Sequence, residues 1–411
     1  MANKTAKIPN KLIVQKYGGS SLAEPQQIRD IADRIATLHH QGYALIIVVS
    51  AMGKTTDQLV ELAYRVSSQP NRRELDMLLT TGERISMSLV SMALNDRRCP
   101  AISFTGSQAG VLTDELHSNA RIMDIKPTRV ETELGHNHVV VLAGFQGVSP
   151  RSKEVTTLGR GGSDTTAVAM AAVFKAECCE IRKDVDGVYS GDPRIHQGAV
   201  HLPNLNYQTL LDMTFWGAKV LHYRSVELAS LLGIPLLIAL AHGEGRSTKI
   251  NGDVPMFEQA RILSVNSHAN VRRLSVTRAP NLSDAFQEVA RLLKDSDLPL
   301  PQFLDAELVV LGGVNQVNIL ITAPVETLTA ISQICKGHGR VTFEAHEFSS
   351  VTATCQGAFA SPLPGEIASE LSRHGIATYK MIFGAMSLTA IVDLQNHKTA
   401  LEVMHNLRPP S

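Results

Sequence analysis

Apolar residues in the first part of the chain form short continuous runs separated by segments of helical periodicity. Leu12–Gln15 and Leu45–Ser50 predict buried strands, and Gln26–Leu38 between them carries isoleucine and leucine at the spacing of a helix. The same order predicts later strands at Val139–Ala143, Cys178–Arg182 and Ile234–Ile238, and a helix at Thr165–Phe174. Strands that are apolar on both faces and alternate with helices predict an α/β fold with a mainly parallel sheet. Ligands of such sheets bind outside the carboxyl ends of the strands.

The pattern changes near residue 262, so we predict a catalytic domain over residues 1–262 and a second region over residues 263–411. Two similar series of strands and helices are predicted there: Leu274–Thr277, Ser283–Leu293, Glu307–Leu311, Gln316–Thr322 and Val325–Cys335, then Thr352–Cys355, Gly365–Ser372, Ser387–Val392 and Lys398–Asn406. They predict two copies of the ferredoxin-like βαββαβ unit, over about 265–345 and 346–411.

Composition and charge narrow the class of protein. The chain has 39 lysines and arginines against 39 aspartates and glutamates, so no bulk charge attracts nucleic acid or an anionic membrane. No apolar run approaches the length of a membrane span, and Met1–Asn10 lacks the apolar stretch of a signal peptide. We therefore expect a cytoplasmic protein with neither nucleic acid nor membrane as partner. Five scattered cysteines without a CxxC pair argue against a disulfide framework or a zinc site.

The segment Thr156–Thr166 (TTLGRGGSDTT) carries the strongest chemical signal. Its three glycines let backbone N–H groups approach a phosphate, and the N-terminus of the helix predicted to follow adds favourable partial charge. Arg160 offers a planar fork for a carboxylate or phosphate, and Asp164 can orient lysines or a metal around a transferring phosphoryl group. A glycine-rich turn with Ser163 or Asp164 capping the helix is the simpler interpretation. It does not explain the arginine, the glycines and the hydroxyl cluster together, so we predict a phosphoryl-transfer site.

Two further turns follow predicted strands. Lys16–Ser21 (KYGGSS) combines a lysine, a glycine pair and two hydroxyls, which suits the β- and γ-phosphates of a nucleotide. Ser50–Thr56 (SAMGKTT) ends like a Walker A loop, but Val48 stands where that pattern requires glycine. We reject a P-loop on this ground and keep Thr55 and Thr56 as candidate hydroxyl ligands.

Asp184–Arg194 (DVDGVYSGDPR) lacks the acids of an EF-hand and fits a nucleotide loop better. In such a loop Tyr189 can border a purine and Arg194 can meet phosphate. A glycine- and proline-rich surface turn is the alternative. Glu83, which we expect to open a helix after a turn, and Lys219 are weaker candidates. A first-turn glutamate favoured by the helix dipole and a solvated lysine are the ordinary alternatives for these two residues.

Taken together, eight segments resemble the aspartate kinases (aspartokinases) in that family's order and spacing: KYGGSS, SAMGKTTD, TTGERIS, FTGSQAG, AGFQGV, TTLGRGGSDTTA, DVDGVYSGDPR and GAKVLH. The resemblance covers residues 11 to about 250. It implies the three-layer α/β/α amino-acid-kinase fold, followed by two ACT-type domains. It also implies that ATP and L-aspartate become ADP and 4-phospho-L-aspartate, with Mg²⁺ carried by the nucleotide. This reaction is the first step of lysine, threonine, methionine and diaminopimelate biosynthesis.

The resemblance also implies roles for individual residues. Lys16 would neutralise the phosphates, and Asp164 would organise the catalytic lysines. Arg160 would bind the α-carboxylate of aspartate and Glu83 its α-ammonium. The other implied substrate contacts are Thr56, Gly161, Gly162 and Ser163; the implied ATP contacts are Lys16, Tyr17, Gly18, Gly19, Lys183, Asp184, Tyr189, Asp192, Arg194 and Lys219. Because a carboxylate acceptor is already anionic at neutral pH, no general base is required, and catalysis reduces to positioning and charge neutralisation.

Several positions depart from the family pattern. Lys183 replaces the usual threonine or serine, and Tyr223 replaces a proline; both lie on the nucleotide side, so we expect altered ATP affinity. Ser247–Thr248 stands for a glycine–threonine pair. In the tail, Pro280–Asn281 replaces a proline–glycine turn that the second copy keeps as Pro364–Gly365. We therefore expect weak or altered feedback by lysine or threonine, and a homodimer or higher homo-oligomer formed through the ACT-type domains.

Two other interpretations stay open. The chain could be an amino-acid kinase with another acceptor, such as glutamate, acetylglutamate or a nucleotide. The ACT-like tail and the pairing of Glu83 with Arg160 speak against that alternative. It could also be a non-catalytic regulator with a vestigial kinase domain, against which intact Lys16, Arg160 and Asp164 argue.

Overall fold

The structure, a computed structural model, describes residues 11–252, 261–296, 298–356 and 362–408. Residues 11–188, 201–211 and 219–252 form a first compact unit; residues 189–200 and 212–218, with the described residues from 261 onward, form a second. Two segments that precede the predicted boundary at residue 262 thus belong to the second unit. The prediction that Met1–Asn10 carries no signal peptide lies outside the described residues.

Along residues 11–252 the strands are β1 Leu12–Tyr17, β2 Ala44–Val49, β3 Ala101–Phe104, β4 Val111–Thr113, β5 Ile122–Ile125, β6 Val139–Ala143, β7 Gln146–Val148, β8 Val155–Thr157, β9 Cys178–Lys183, β10 Val188–Tyr189, β11 His201–Leu202, β12 Asn204–Leu205, β13 Leu236–Leu240 and β14 Ser247–Ile250. The helices are α1 Pro25–His40, α2 Thr55–Val66, α3 Arg72–Asn95, α4 Thr128–Gly135, α5 Gly162–Val173, α6 Tyr207–Phe215 and α7 Tyr223–Leu232.

From residue 261 onward the strands are β15 Arg261–Thr277, β16 Gln302–Leu311, β17 Val314–Thr322, β18 Val341–Phe343, β19 Phe348–Gln356, β20 Thr378–Phe383 and β21 Ser387–Asp393. The helices are α8 Leu282–Asp295, α9 Val325–Cys335, α10 Leu363–Arg373 and α11 His397–Asn406. Within the part of the chain that the structure describes, no helix combines the length and the apolarity that crossing a membrane requires.

The central sheet of the first unit has the strand order β12-β14-β13-β9-β1-β2-β6-β3. The strands from β13 to β3 all pair in parallel, as the double-sided apolar runs predicted, and β14 is antiparallel to β13. β1 and β2 are buried along their whole length, which requires cover on both faces. The strand order reverses at β1, because β2 pairs on one side of it and the much later β9 on the other. Such a reversal leaves a crevice at the carboxyl ends of the strands, where ligands bind.

Helix α1 illustrates why these residues fold as they do. Pro25 occupies the first turn, and Glu24 and Gln27 exchange hydrogen bonds as a capping box. Ile28, Ile31 and other apolar residues of one face are buried against the sheet. Helix α5 differs, because nearly all its residues are buried and its side chains are small. It begins at Gly162, three residues before the predicted start, so the whole Ser163–Thr166 stretch lies in its first turns.

The second unit contains one sheet of order β16-β17-β15-β19-β21-β20, with β18 also paired to β15. β15 is far longer than the predicted Leu274–Thr277, because it serves two ferredoxin-like halves. Its end, Val271–Thr277, pairs with β17, and β18 pairs along part of that stretch. Its start, Arg261–His268, pairs with β19, and register shifts separate the two stretches. One strand of the second half, the Arg261–His268 part of β15, therefore precedes the whole first half in the sequence.

The segment Asp212–Ala218 packs on this sheet of the second unit. The Trp216 side chain is buried in a cluster with Leu304, Phe348 and other apolar residues, and its Nε1 donates to Ser387 Oγ at 3.2 Å. Gly217 lies so close to β15 that an added Cβ would sit 2.1 Å from the Ser267 carbonyl oxygen. The requirement for glycine at this position is steric, and it fixes the path of the segment.

Candidate active site

A buried ion pair joins the two strongest sequence motifs. Lys16, near the carboxyl end of β1, places its Nζ 2.6 Å from Oδ1 of Asp164, in the first turn of α5. Both side chains are about nine-tenths buried. Burying two charges is costly unless geometry and further partners compensate, so a pair of this kind signals a functional constraint more than a stabilising one. The strand-end position predicted for Lys16 is confirmed by this geometry.

The turn before α5 depends on glycines that adopt left-handed backbone conformations. Gly159 and Gly161 have φ values of 73° and 69°, in the left-handed region. An added Cβ on Gly161 would lie 2.1 Å from the Cβ of His222, which packs directly against the turn. Burial, and then the nearby Arg224, lower the pKa of His222 to about 4, so this ring is neutral at pH 7. Arg160, at the tip, is exposed and available to an anionic ligand.

Ser163 approaches the end of β6. An added Cβ on Gly144, which follows that strand, would lie 2.8 Å from the Ser163 Cβ and Oγ. Ser163 is itself buried, and the hydroxyl of Thr166 donates to the Gly162 carbonyl one turn earlier in α5. The first-turn N–H groups of a helix have no partner within the helix, so the start of α5 offers amides to an anion.

Glu83 does not open a helix, as the sequence led us to expect; it lies in the middle of α3, which runs without a break through the TTGERIS segment. The wrong expectation came from Gly82, which resembled a turn residue. Gly82 is instead a packing residue, since an added Cβ would lie 2.7 Å from the Cβ of Ala51. This close approach brings α3 against the turn after β2.

The Glu83 carboxyl group is buried and half satisfied. Its Oε1 accepts the Ala51 backbone N–H at 3.1 Å, whereas Oε2 is buried and has no hydrogen-bond partner among the residues that the structure describes. Burial raises the pKa of Glu83 to about 7, and the hydrogen bond from Ala51 lowers it in part. A cationic group that reaches this unpartnered oxygen would form a strong, charge-assisted hydrogen bond with it.

The turns after β1 and β2 are packed together beside this carboxylate. Gly53 donates its N–H to the Gly19 carbonyl at 2.9 Å, and an added Cβ on Gly19 would lie 2.6 Å from the Ala51 carbonyl oxygen. Gly18 lies within 4 Å of the Lys16 ammonium by the same measure. Thr56 follows as the second residue of α2. The motifs KYGGSS, SAMGKTT and TTGERIS therefore meet in one place.

Four further residues predicted to bind ATP lie in the first unit. Lys183 ends β9, and its Nζ donates to the carbonyls of Val220 at 2.5 Å and Lys219 at 3.2 Å. The side chain of Lys183, which departs from the family pattern, thus ties the end of β9 to the loop that precedes α7. The Lys219 and Asp184 side chains are exposed. Tyr17 has no accessible surface, its hydroxyl donates to Gln15 at 3.0 Å, and burial raises its pKa above the ordinary range.

The remaining predicted ATP contacts, Tyr189, Asp192 and Arg194, belong to the second unit. Arg194 forms a bidentate ion pair with Asp192, with Nε–Oδ1 at 3.0 Å and Nη2–Oδ2 at 2.9 Å. Ser190 in the same loop accepts the Val200 N–H and a hydrogen bond from Arg408. A nucleotide role for these three residues stays a prediction.

Two residues that support the glycine-rich turn, Arg224 and Asp76, are not among those predicted from the sequence. Arg224 donates to the Leu158 carbonyl at 2.8 Å, the Asn119 side chain at 2.9 Å and the Ala120 carbonyl at 3.1 Å. Asp76 Oδ1 accepts a hydrogen bond from the hydroxyl of Thr157, the last residue of β8, just before the turn. Neither residue stands in a motif, and a single sequence gives no signal for buried polar contacts so far apart along the chain.

The fold, the buried lysine–aspartate pair and the glycine-rich helix start together define a small-molecule kinase. Residues 11–239 match the Amino acid kinase family, and the chain belongs to that family. Aspartokinase from Mycobacterium tuberculosis is 47% identical over 296 residues, 71% of this chain and 70% of the relative. Aspartokinase from Geobacillus stearothermophilus is 33% identical over 398 residues, 96% of each chain. Within the family, the chain is therefore a member of the aspartokinases.

Solved structures agree with this assignment. Aspartate kinase from Synechocystis is 31% identical, with a TM-score of 0.54, and the match covers 97% of this chain and 70% of that one. The fold is also that of E. coli aspartokinase III in complex with aspartate and ADP, with a TM-score of 0.76, 19% identity and coverage of 96% and 99%. The α/β fold, the ACT-type region and the kinase class predicted from the sequence are confirmed.

Proposed function

We propose that this chain transfers the γ-phosphoryl group of ATP to the side-chain carboxylate of L-aspartate, giving ADP and 4-phospho-L-aspartate. A carboxylate oxygen forms the new P–O bond, and the bond from the γ-phosphorus to the bridging oxygen of ADP breaks. The acceptor is already an anion, so no proton is removed from it. The observation that carries the proposal is the buried Lys16–Asp164 pair beside a glycine-rich helix start.

Each half of the site has a separate task in this proposal. Lys16 lies against the phosphates and neutralises the charge that spreads over the transferring group, while Asp164 holds its ammonium in place. Glu83 accepts the α-ammonium of aspartate on its buried, unpartnered oxygen. Arg160 and Ser163 bind the α-carboxylate. Holding both charged groups of the amino acid leaves its side-chain carboxylate as the part free to attack.

Mg²⁺ would enter with the nucleotide. Among the described residues no three His, Cys, Asp or Glu side chains cluster as a metal site. Kinase Mg²⁺ ions usually bind through substrate phosphates and one or two carboxylates, and the ion would neutralise charge on the phosphates. Asp164 is the carboxylate best placed for this, and it is already paired with a lysine.

An acceptor panel tests the reaction. Acyl-phosphate formation, trapped as the hydroxamate, is measured with L-aspartate, L-glutamate and N-acetylglutamate under identical ATP and Mg²⁺ conditions. We expect aspartate to be the preferred acceptor, and Asp164→Asn to remove the signal with every acceptor. Preference for glutamate would replace the proposed substrate. No product from any acceptor would favour a regulatory protein with a vestigial kinase domain.

Wider roles follow as parts of the same proposal. The reaction would be the first step towards lysine, threonine, methionine and diaminopimelate, in the cytoplasm. One solved relative, E. coli aspartokinase III, was crystallised with lysine and aspartate, which supports testing lysine as an effector of the ACT-type region of this chain. A homodimer or higher homo-oligomer formed through that region is proposed on the family resemblance, and its mass in solution tests it.

A further inference from the structure

One buried carboxylate in the first unit has no part in the proposed chemistry. Asp76 lies in α3 and has no accessible surface. Its oxygens accept from Thr157 Oγ1 at 2.5 Å and from the Ser118 backbone N–H at 3.1 Å, and His117 Nδ1 lies 2.7 Å from Oδ2. These partners come from the end of β8 and the loop after β4, so one side chain joins three elements.

The partners of Asp76 lead directly to the glycine-rich turn. Thr157 ends β8, and Gly159 follows two residues later. Ser118 packs beneath that glycine, because an added Cβ on Gly159 would lie 3.0 Å from the Ser118 carbonyl oxygen. Thr157 and Ser118, two hydrogen-bond partners of Asp76, therefore both border the glycine-rich turn that carries Arg160.

Asp76 and Glu83 stand on the same helix, seven residues apart. That spacing is two helical turns, so both side chains project from similar faces about 10 Å apart along the axis. The Glu83 end of this stretch is fixed by the close packing of Gly82 on Ala51. The Asp76 end is fixed to the glycine-rich turn. A single rigid helix thus connects the group proposed for the ammonium to the turn proposed for the carboxylate.

We propose that Asp76 is a positioning residue for the amino acid acceptor, which sets the separation between Glu83 and the Gly159–Gly162 turn. The inference rests on the proposed function of that site. One carbon joins the ammonium and the carboxylate of an α-amino acid, so the two binding groups tolerate little relative movement. A misplacement of 1 Å can cost about 10²-fold in rate. None of the Asp76 partners is a predicted ATP contact, so the effect falls on the acceptor.

The kinetics of hydroxyl variants test this role without removing the buried carboxyl group of Asp76. Thr157→Val deletes the donor to Asp76 while keeping side-chain shape, and Thr157→Ser retains the hydroxyl. We expect the KM for aspartate to rise about tenfold or more in Thr157→Val, with the KM for ATP within about twofold of wild type. Thr157→Ser should restore the aspartate KM. Thr113→Val is the matched control, because it deletes a buried hydroxyl of the same sheet that bonds to Thr156 at 2.6 Å and not to Asp76.

The results separate this inference from the proposed function. A wild-type enzyme that forms no hydroxamate with aspartate removes the proposed function itself. An active wild type and a folded Thr157→Val variant with an unchanged aspartate KM overturn the positioning role alone. Equal losses in Thr157→Val and Thr113→Val would reduce Asp76 to a stabilising residue and also overturn it. Asp76→Asn adds a second measurement, since it should raise the aspartate KM in the same direction as Thr157→Val.

Discussion

Replacing Glu83 by glutamine tests how the site recognises the ammonium group of its acceptor. The substitution keeps the shape of the side chain and the oxygen that accepts the Ala51 N–H, and it removes the charge. If Glu83 binds the ammonium of aspartate, only the ionised form is competent. Because the pKa of Glu83 is about 7, kcat/KM for aspartate should follow its ionisation in the free enzyme.

The size of the effect follows from that pKa. About a tenth of the free enzyme carries ionised Glu83 at pH 6 and about nine-tenths at pH 8, so kcat/KM should rise roughly tenfold between them. Bound ammonium stabilises the charged form, so kcat at saturating aspartate should change less. Removing one partner of a buried charge pair costs about 3 kcal/mol or more, which predicts a loss of about 10²-fold in kcat/KM for Glu83→Gln at pH 8.

The contribution of Glu83 to the free energy of unfolding should fall as pH rises, whereas kcat/KM for aspartate should increase. Glu83 has a pKa raised from 4.5 to about 7 on folding, so its ionised form opposes the folded state. The cost is absent below pH 4.5, grows as pH rises through the window between the two values, and is complete above pH 7. At about 1.36 kcal/mol per unit it reaches about 3 kcal/mol. Glu83→Gln should therefore melt above wild type at pH 8, and this advantage should shrink as the pH falls towards 4.5.

The assay measures hydroxamate formation at limiting aspartate and saturating ATP from pH 5.5 to 8.5, for both proteins. Glu83→Gln is its own control, because titration of ATP and of other groups persists in the variant. Thermal unfolding over the same range, with and without aspartate, reports the linked stability. A wild-type profile without a limb near pH 7, or an unchanged limb in Glu83→Gln, would refute the assignment of Glu83 to the ammonium.

Other predictions concern the phosphate side and regulation. Lys16→Met leaves Asp164 buried without its cation, so kcat should fall by about 10²-fold or more while circular dichroism stays native; turnover near wild type would remove Lys16 from the mechanism. Gly161→Ala should destabilise the first unit by several kcal/mol and abolish activity, because its Cβ would meet His222. Gly233→Ala, with φ of 64° and open space, should lose only about 1 kcal/mol; equal losses in urea unfolding would disprove the steric argument. Lysine and threonine, alone and together, should inhibit weakly, and strong inhibition by lysine would contradict that expectation.

Much of the fold could be predicted because its signals are local. The runs at β1, β2 and β6 are apolar on both faces, and α1 has its cap and its periodic isoleucines within one short segment. The ends of β15 could not be placed in this way. Its length depends on two separate sets of partner strands, β17 with β18 and β19, and pairing between distant segments leaves no local periodicity.

The residues of the candidate site also divide into those with a local sequence signal and those placed only by tertiary contacts. Lys16, Arg160 and Asp164 stand in two glycine-rich segments. A turn with a helix cap does not explain the arginine, the glycines and the hydroxyl cluster of Thr156–Thr166 together, so the sequence alone predicted the chemistry of the site. Glu83 was placed wrongly at a helix start, because a glycine before it looks the same in a turn and in a packed helix. Only the contact with Ala51 distinguishes the two.

The sequence by itself determined, through its resemblance, that this chain is an aspartokinase, and it predicted a phosphate site built from a lysine, an aspartate and a glycine-rich helix start. Those features are encoded in short segments, where residue type and spacing suffice. Tertiary structure alone decided that Lys16 meets Asp164 and that Asp76 joins α3 to the turn before α5. Such contacts join residues more than seventy positions apart, and burial makes them strong without leaving a pattern in the chain.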